Sequence, residues 1–177
     1  MSKFLRGFSL VLAAAALVAA PLAQASTTTP LLSHENYTVG QGDIGITFGS
    51  QPALVRGDVE QDLWTLDLGA NYFVTDIFAP GAMMNLKAGG GTTVRFIADL
   101  KAYWPGLGRV LPYAMIGLGM AHFPGVNLFD FAIGPGIDYM LSNSVALGFA
   151  FQYDLGIGSS TVHVIQFPLA FNVYFKF

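Results

Sequence analysis

Two sets of residues in this chain carry side chains able to do chemistry. The first is its three histidines, His34, His122 and His163. Acyl transfer needs a nucleophile within hydrogen-bond reach of a base, and a carboxylate to orient that base. On a strand this places a Ser two positions from a His, on the same face. Two residues after His34 stands Asn36, after His122 Pro124, and after His163 Ile165. Thr161 lies two before His163 but is a poorer nucleophile than Ser. A Ser159/Ser160–His163–Asp154 triad would need the intervening loop to fold back, because Asp154 and His163 alternate onto opposite faces. The expectation is no catalytic site, no metal and no cofactor.

The second set is ionic and scattered: Asp43, Asp67, Lys87, Arg95, Asp99, Lys101, Asp130, Asp138, Asp154 and Lys176, joined by Gln152, Gln166 and Asn172. All fall on the polar phase of alternating segments. Charges that share a buried face must be paired or shift their protonation, so a network of ion pairs and hydrogen bonds is expected. Counting residues along each strand puts Asp43, Asp67 and Asp99 in one middle layer, with Arg95 as the cation that reaches them. A surplus of carboxylates there could bind a cation or hold a proton.

The elements that position these residues are strands. At the end of the chain Ile165, Phe167, Leu169, Phe171, Val173, Phe175 and Phe177 alternate with Gln166, Asn172 and Lys176, a period of two. Seven further segments read alike: Tyr37–Phe48, Asp62–Phe73, Ile77–Ala88, Thr92–Trp104, Val110–His122, Leu128–Met140 and Ser144–Leu155. Gly40 and Gly42 mark a bulge in the first. Gly49–Gln61, with Pro52, Gly57 and several charges, reads as the one sizeable loop. Twelve residues at about 3.3 Å rise, tilted by about 45°, cover nearly 30 Å, the thickness of a bilayer core.

Composition points the same way. Hydrophobic residues make up 53% and charged ones 11%, against about 25% charged in ordinary soluble domains. No run of 18 apolar residues marks a spanning helix. Lys3, Arg6, the apolar run Leu10–Ala20 and Ala23-Gln24-Ala25 fit a cleavable secretory signal over residues 1–25. Residues 26–36 then form a periplasmic tail, and 37–177 the folded domain. The net charge of −3 argues against nucleic acid as partner.

Alternation alone does not say which face looks outward. Side-chain size does. The apolar rows carry Phe129, Phe131, Phe149, Phe151, Phe167 and Phe171, while the opposite rows are rich in Gly and Ala. Eight strands enclose an interior that side chains just fill, so small and polar residues belong inside and bulky ones in lipid. Trp64 and Tyr153 fall at one end of the strands, and Tyr72, Trp104, Tyr113, Tyr139 and Phe175 at the other, as two interfacial belts. The fold expected is all-β, an eight-stranded antiparallel up-and-down transmembrane β-barrel. Its tight turns face the periplasm, and Gly49–Gln61, Gly89–Gly91, Phe123–Asn127 and Gly156–Ser160 face outside.

With Phe171, Val173, Phe175 and the terminal Phe177, the closing strand resembles that of small bacterial outer-membrane barrels. The group it resembles includes the OmpA transmembrane domain, OmpX and the opacity proteins. Trp104-Pro105 and Pro112-Tyr113-Ala114-Met115-Ile116-Gly117-Leu118-Gly119 are also similar to OmpW-type barrels, which are associated with small hydrophobic solutes. The resemblance implies an outer-membrane location and contact with lipopolysaccharide. It also implies recognition of the last strand by the barrel-insertion machinery, and a monomer. The function expected is structural, in envelope integrity, around a largely plugged polar lumen. A narrow channel or transporter for small or hydrophobic solutes is the alternative. A lipid-modifying enzyme fits less well, since no His has a Ser two positions from it, and so does an adhesin, since most of the outer loops are short.

Overall fold

The computed structural model describes residues 39–87, 92–104 and 109–177. The expected signal segment, the tail over 26–36, His34, Tyr37, the glycine turn 89–91 and most of the turn 105–109 lie outside the described residues.

Within them the chain forms ten strand segments: β1 (Ile44–Gly57), β2 (Gln61–Tyr72), β3 (Phe78–Lys87), β4 (Thr93–Tyr103), β5 (Val110–Phe123), β6 (Val126–Ser142), β7 (Val145–Ala150), β8 (Gln152–Gly158), β9 (Thr161–Gln166) and β10 (Leu169–Phe175). From β1 to β6 each pairs antiparallel with the next. Segments β7 and β8 are one stave interrupted at Phe151, and both pair with β6. Segments β9 and β10 are another, interrupted at Phe167-Pro168, and both pair with β1. That last pairing closes the sheet. The result is an eight-stranded antiparallel up-and-down barrel with no open edge, the form in which strands can cross lipid with their backbone bonds satisfied.

The interruptions share one line around the wall. Pro168 and Pro52 stand on neighbouring staves, Pro135 stands one stave beyond them across the Phe151 break, and none has an N–H to give. Their carbonyls still accept: Phe151 N–H bonds Pro135 O at 3.0 Å, Ala150 N–H bonds Pro168 O at 3.1 Å, and Phe167 N–H reaches Pro52 O at 3.4 Å.

Two expectations about elements are corrected. Gly49–Gln61 is not a loop: β1 runs through it to Gly57, and the turn is Asp58–Glu60. Pro52 is tolerated because the segment opposite is itself interrupted, and Gly49 because the Leu169 and Ala170 backbone passes too close for a Cβ. Arg56 and Asp62 pair across the exposed outer side of the hairpin at 2.8 Å. The first strand also starts later, at Ile44. Gly40–Asp43 is a turn, with Gly42 at φ 94° and Asp43 N–H on Gly40 O at 3.0 Å.

The hairpins at the end away from the chain terminus are minimal. Phe123 faces Val126 across Pro124-Gly125, where Gly125 takes φ 83°, as the residue after Pro in a type II turn demands. Ser159-Ser160 joins β8 to β9, and the Thr161 N–H bonds Asp58 Oδ2 at 2.7 Å.

Candidate functional site

Side chains alternate across the wall. Outward point Phe48, Trp64, Leu66, Ile116, Leu118, Phe129, Ile133, Phe149, Phe151, Leu169 and Phe171, all exposed. Inward lies a filled lumen in stacked layers. At the far end an apolar plug packs Val55, Leu63, Phe123, Leu128, Val162 and Val164. At the terminal end another packs Val39, Phe73, Tyr103, Leu111, Met140 and Tyr174.

Between the plugs are two polar layers. In the far one the Arg95 guanidinium bonds Asp130 Oδ2 through Nε at 2.8 Å and through Nη2 at 2.7 Å. It bonds Asp154 Oδ1 at 2.8 Å and donates to Asn85 Oδ1 at 3.1 Å. Asp154 also accepts from Gln152 at 2.7 Å and from Gln166. Asp67 accepts from Asn85 at 2.7 Å, Gln51 at 2.9 Å and Thr65 at 3.3 Å. A planar fork between two carboxylates uses the geometry in which Arg is strongest.

The layer nearer the terminus centres on Asp138. Its carboxylate accepts from the Tyr174 hydroxyl at 2.8 Å, the Tyr103 hydroxyl at 3.1 Å and Asn172 Nδ2 at 2.8 Å. Thr47 donates to Asn172 Oδ1 at 2.6 Å. Tyr113 stacks on Tyr103 with ring centroids 5.2 Å apart, and the Lys101 ammonium lies 5.2 Å from the Tyr113 ring. Lumenal glycines make room for these groups: Gly148 faces Asp138 and Asn172, Gly81 faces Asp99, and the Tyr113 ring lies on Gly136.

Between the two layers is a cavity of about 40 Å³, bordered by Thr47, Asp67, Lys101, Tyr113, Gln152 and Asn172. On one side it reaches the wall at Phe149, Phe151 and Pro168. It has room for about three water-sized bodies.

Several expected positions are corrected here. Arg95 meets Asp130 and Asp154, not Asp43 or Asp99. Asp43 sits in the turn before β1, bonded by the Gly40 N–H at 3.0 Å, so it is not in a middle layer with Asp67. Burial pushes its carboxyl up, against the Gly40 bond and the charge of Lys176. Lys176 follows β10 and is exposed at the rim, outside the lumen. Tyr113 faces the lumen with Gly117 and Gly119, and so belongs to no interfacial belt. Strand counting missed Asn85, Tyr103 and Tyr174 as partners, whose place on the inward phase was the available signal, and Gln51, which stood in the expected loop and lies in β1.

The remaining aromatics do lie outward: Trp64 and Tyr153 toward the far end, and Tyr72, Trp104, Tyr139 and Phe175 toward the terminal end. Phe171, Phe175 and Phe177 are exposed, with Val173 half-buried beside β1. The Tyr153 hydroxyl meets His163 Nδ1 at 2.6 Å on the outside, while Asp154 is buried across the wall. His122 Nδ1 pairs with Asn127 Oδ1 at 2.7 Å.

No family model matches the sequence, and no curated protein does. Solved structures do match in shape. OprG, an outer membrane protein of Pseudomonas aeruginosa, is 15% identical with a TM-score of 0.58, over 81% of this chain and 100% of that one. Neisserial surface protein A is 18% identical with a TM-score of 0.60, over 77% and 100%. Ail, the attachment invasion locus protein of Yersinia pestis, is 15% identical with a TM-score of 0.55, over 76% and 99%. The chain has the fold of the small eight-stranded outer-membrane β-barrels.

Proposed function

We propose that this chain is an integral outer-membrane protein whose role is structural, a filled barrel contributing to envelope integrity. One observation carries the reading: two apolar plugs and two polar layers occupy the lumen, leaving a cavity of about 40 Å³. The signal over residues 1–25 brings the chain across the inner membrane, and the last strand is what the insertion machinery reads. The terminal end faces the periplasm, and the aromatic belts meet lipid and, on the far side, lipopolysaccharide around a single copy. Turns of two or three residues at Asp58–Glu60, Pro124-Gly125 and Ser159-Ser160 offer little surface to a host or phage partner, which disfavours an adhesin. The test is reconstitution into planar bilayers. The structural role expects no steady conductance, and discrete, persistent channel openings would refute it.

A second reading, passage of a small apolar solute, has one observation in its favour. The cavity touches the wall where the ladder is broken at Phe151 and Pro168. It expects a detergent-exchanged barrel to retain an apolar ligand, which the structural role does not.

A further inference from the structure

The far polar layer is short of positive charge. Asp67, Asp130 and Asp154 are each at most 2% exposed, and the cation bonded among them is Arg95. Three carboxylates against one guanidinium leave a negative excess where water is scarce, and such an excess needs a counter-charge.

The hydrogen bonds say where that counter-charge belongs. Gln51 gives its Nε2 to Asp67 Oδ1, and Gln166 gives its Nε2 to Asp154 Oδ2. An ionised carboxylate only accepts, so each amide is held with its nitrogen toward the acid. Gln51 Oε1 and Gln166 Oε1 are left without a donor, and so is Asp67 Oδ2. Gln51 and Gln166 project inward from neighbouring staves beside the interruption at Pro52 and Phe167, and Asp67 borders the cavity. Buried oxygens with free lone pairs next to surplus negative charge are what a hard cation requires. Among the described residues no three His, Cys, Asp or Glu converge as a divalent metal site.

We propose that the lumen binds one dehydrated monovalent cation of the sodium or potassium class, held by Asp67 Oδ2 and the amide oxygens of Gln51 and Gln166. The site ties β1, β2 and β9 together at the break in the wall. It is independent of the envelope role.

The test uses the intact barrel in detergent, with thermal unfolding followed by circular dichroism. NaCl, KCl and N-methylglucamine chloride are compared at equal ionic strength. A ligand that binds only the folded state raises the midpoint in a saturating way. Sodium or potassium should therefore raise it by several degrees, and N-methylglucamine should not. Asp67→Asn should abolish the difference and unfold no earlier than the parent in N-methylglucamine. Asp43→Asn, at the terminal mouth, should keep it. Three coincident salt curves would overturn the site, since water or simple screening then suffices. A midpoint that rises with acid but ignores the cation would overturn it in favour of a bound proton. A response that survives in Asp67→Asn would overturn it as well.

Discussion

The two faces of the wall solve opposite problems with the same backbone. Outside, Phe, Leu, Ile and Trp lie exposed with almost no polar neighbour. Inside, Arg95, Asp130, Asp138 and Asp154 are held by specific bonds at most 3% exposed. On the outer face stabilisation is spread over area and each side chain is replaceable. In the lumen it is concentrated in a few nodes, because one partner removed leaves the others charged and unsolvated. Two arginines make the contrast plain. Arg56 and Arg95 both bond aspartate at 2.7–2.8 Å, yet one sits in solvent at the rim and the other is enclosed.

The largest expected effect follows from that difference. Arg95→Ala strands Asp130 and Asp154 and should cost about 3–5 kcal/mol, as buried pairs do when one partner is lost. Urea unfolding in lipid vesicles measures it. A loss under about 1 kcal/mol would mean that the lumen is wet enough to solvate the acids. Next comes the outer face: Phe149→Arg should cost about 2–4 kcal/mol near mid-membrane and lower the yield of folded barrel. Gly136→Val tests the packing inside. The added branches meet the Tyr113 ring, and overpacking of this kind costs about 1–3 kcal/mol. Gly125→Ala instead adds a Cβ into open space, so its cost comes from the φ of 83° alone. The smallest change belongs to Arg56→Ala, about 0–1 kcal/mol, since exposed pairs contribute little.

How much of this was legible in the sequence depends on range. Alternation fixes which face a residue joins, so the outward rows and most of the lumenal set read correctly from Ile165–Phe177 and its counterparts. Tyr113 was misplaced although the same parity puts it beside Gly117. Its aromatic character outweighed its phase. The stretch from Gly49 to Gln61 looked like a loop because Pro52, Gly57 and its charges are local signals. The interruption opposite, which makes Pro52 harmless, lies more than a hundred residues away in the chain.

Partner choice in the lumen was not legible at all. Strands in a barrel tilt and shift register around the circumference, so equal counts along two strands do not mean equal heights. Arg95 faces Ala121 on β5, yet its partners are Asp130 on β6 and Asp154 on β8. Composition named the ions, and only the closed geometry pairs them.

The central claim is the sidedness of the wall, and the chain's lack of cysteine allows it to be read residue by residue. Single cysteines at positions 145–150, spin-labelled in lipid vesicles, report collision with dissolved oxygen. High oxygen access at Val145, Leu147 and Phe149, with minima at Ala146, Gly148 and Ala150, is the predicted result. A flat profile, or maxima at Ala146 and Ala150, would contradict it.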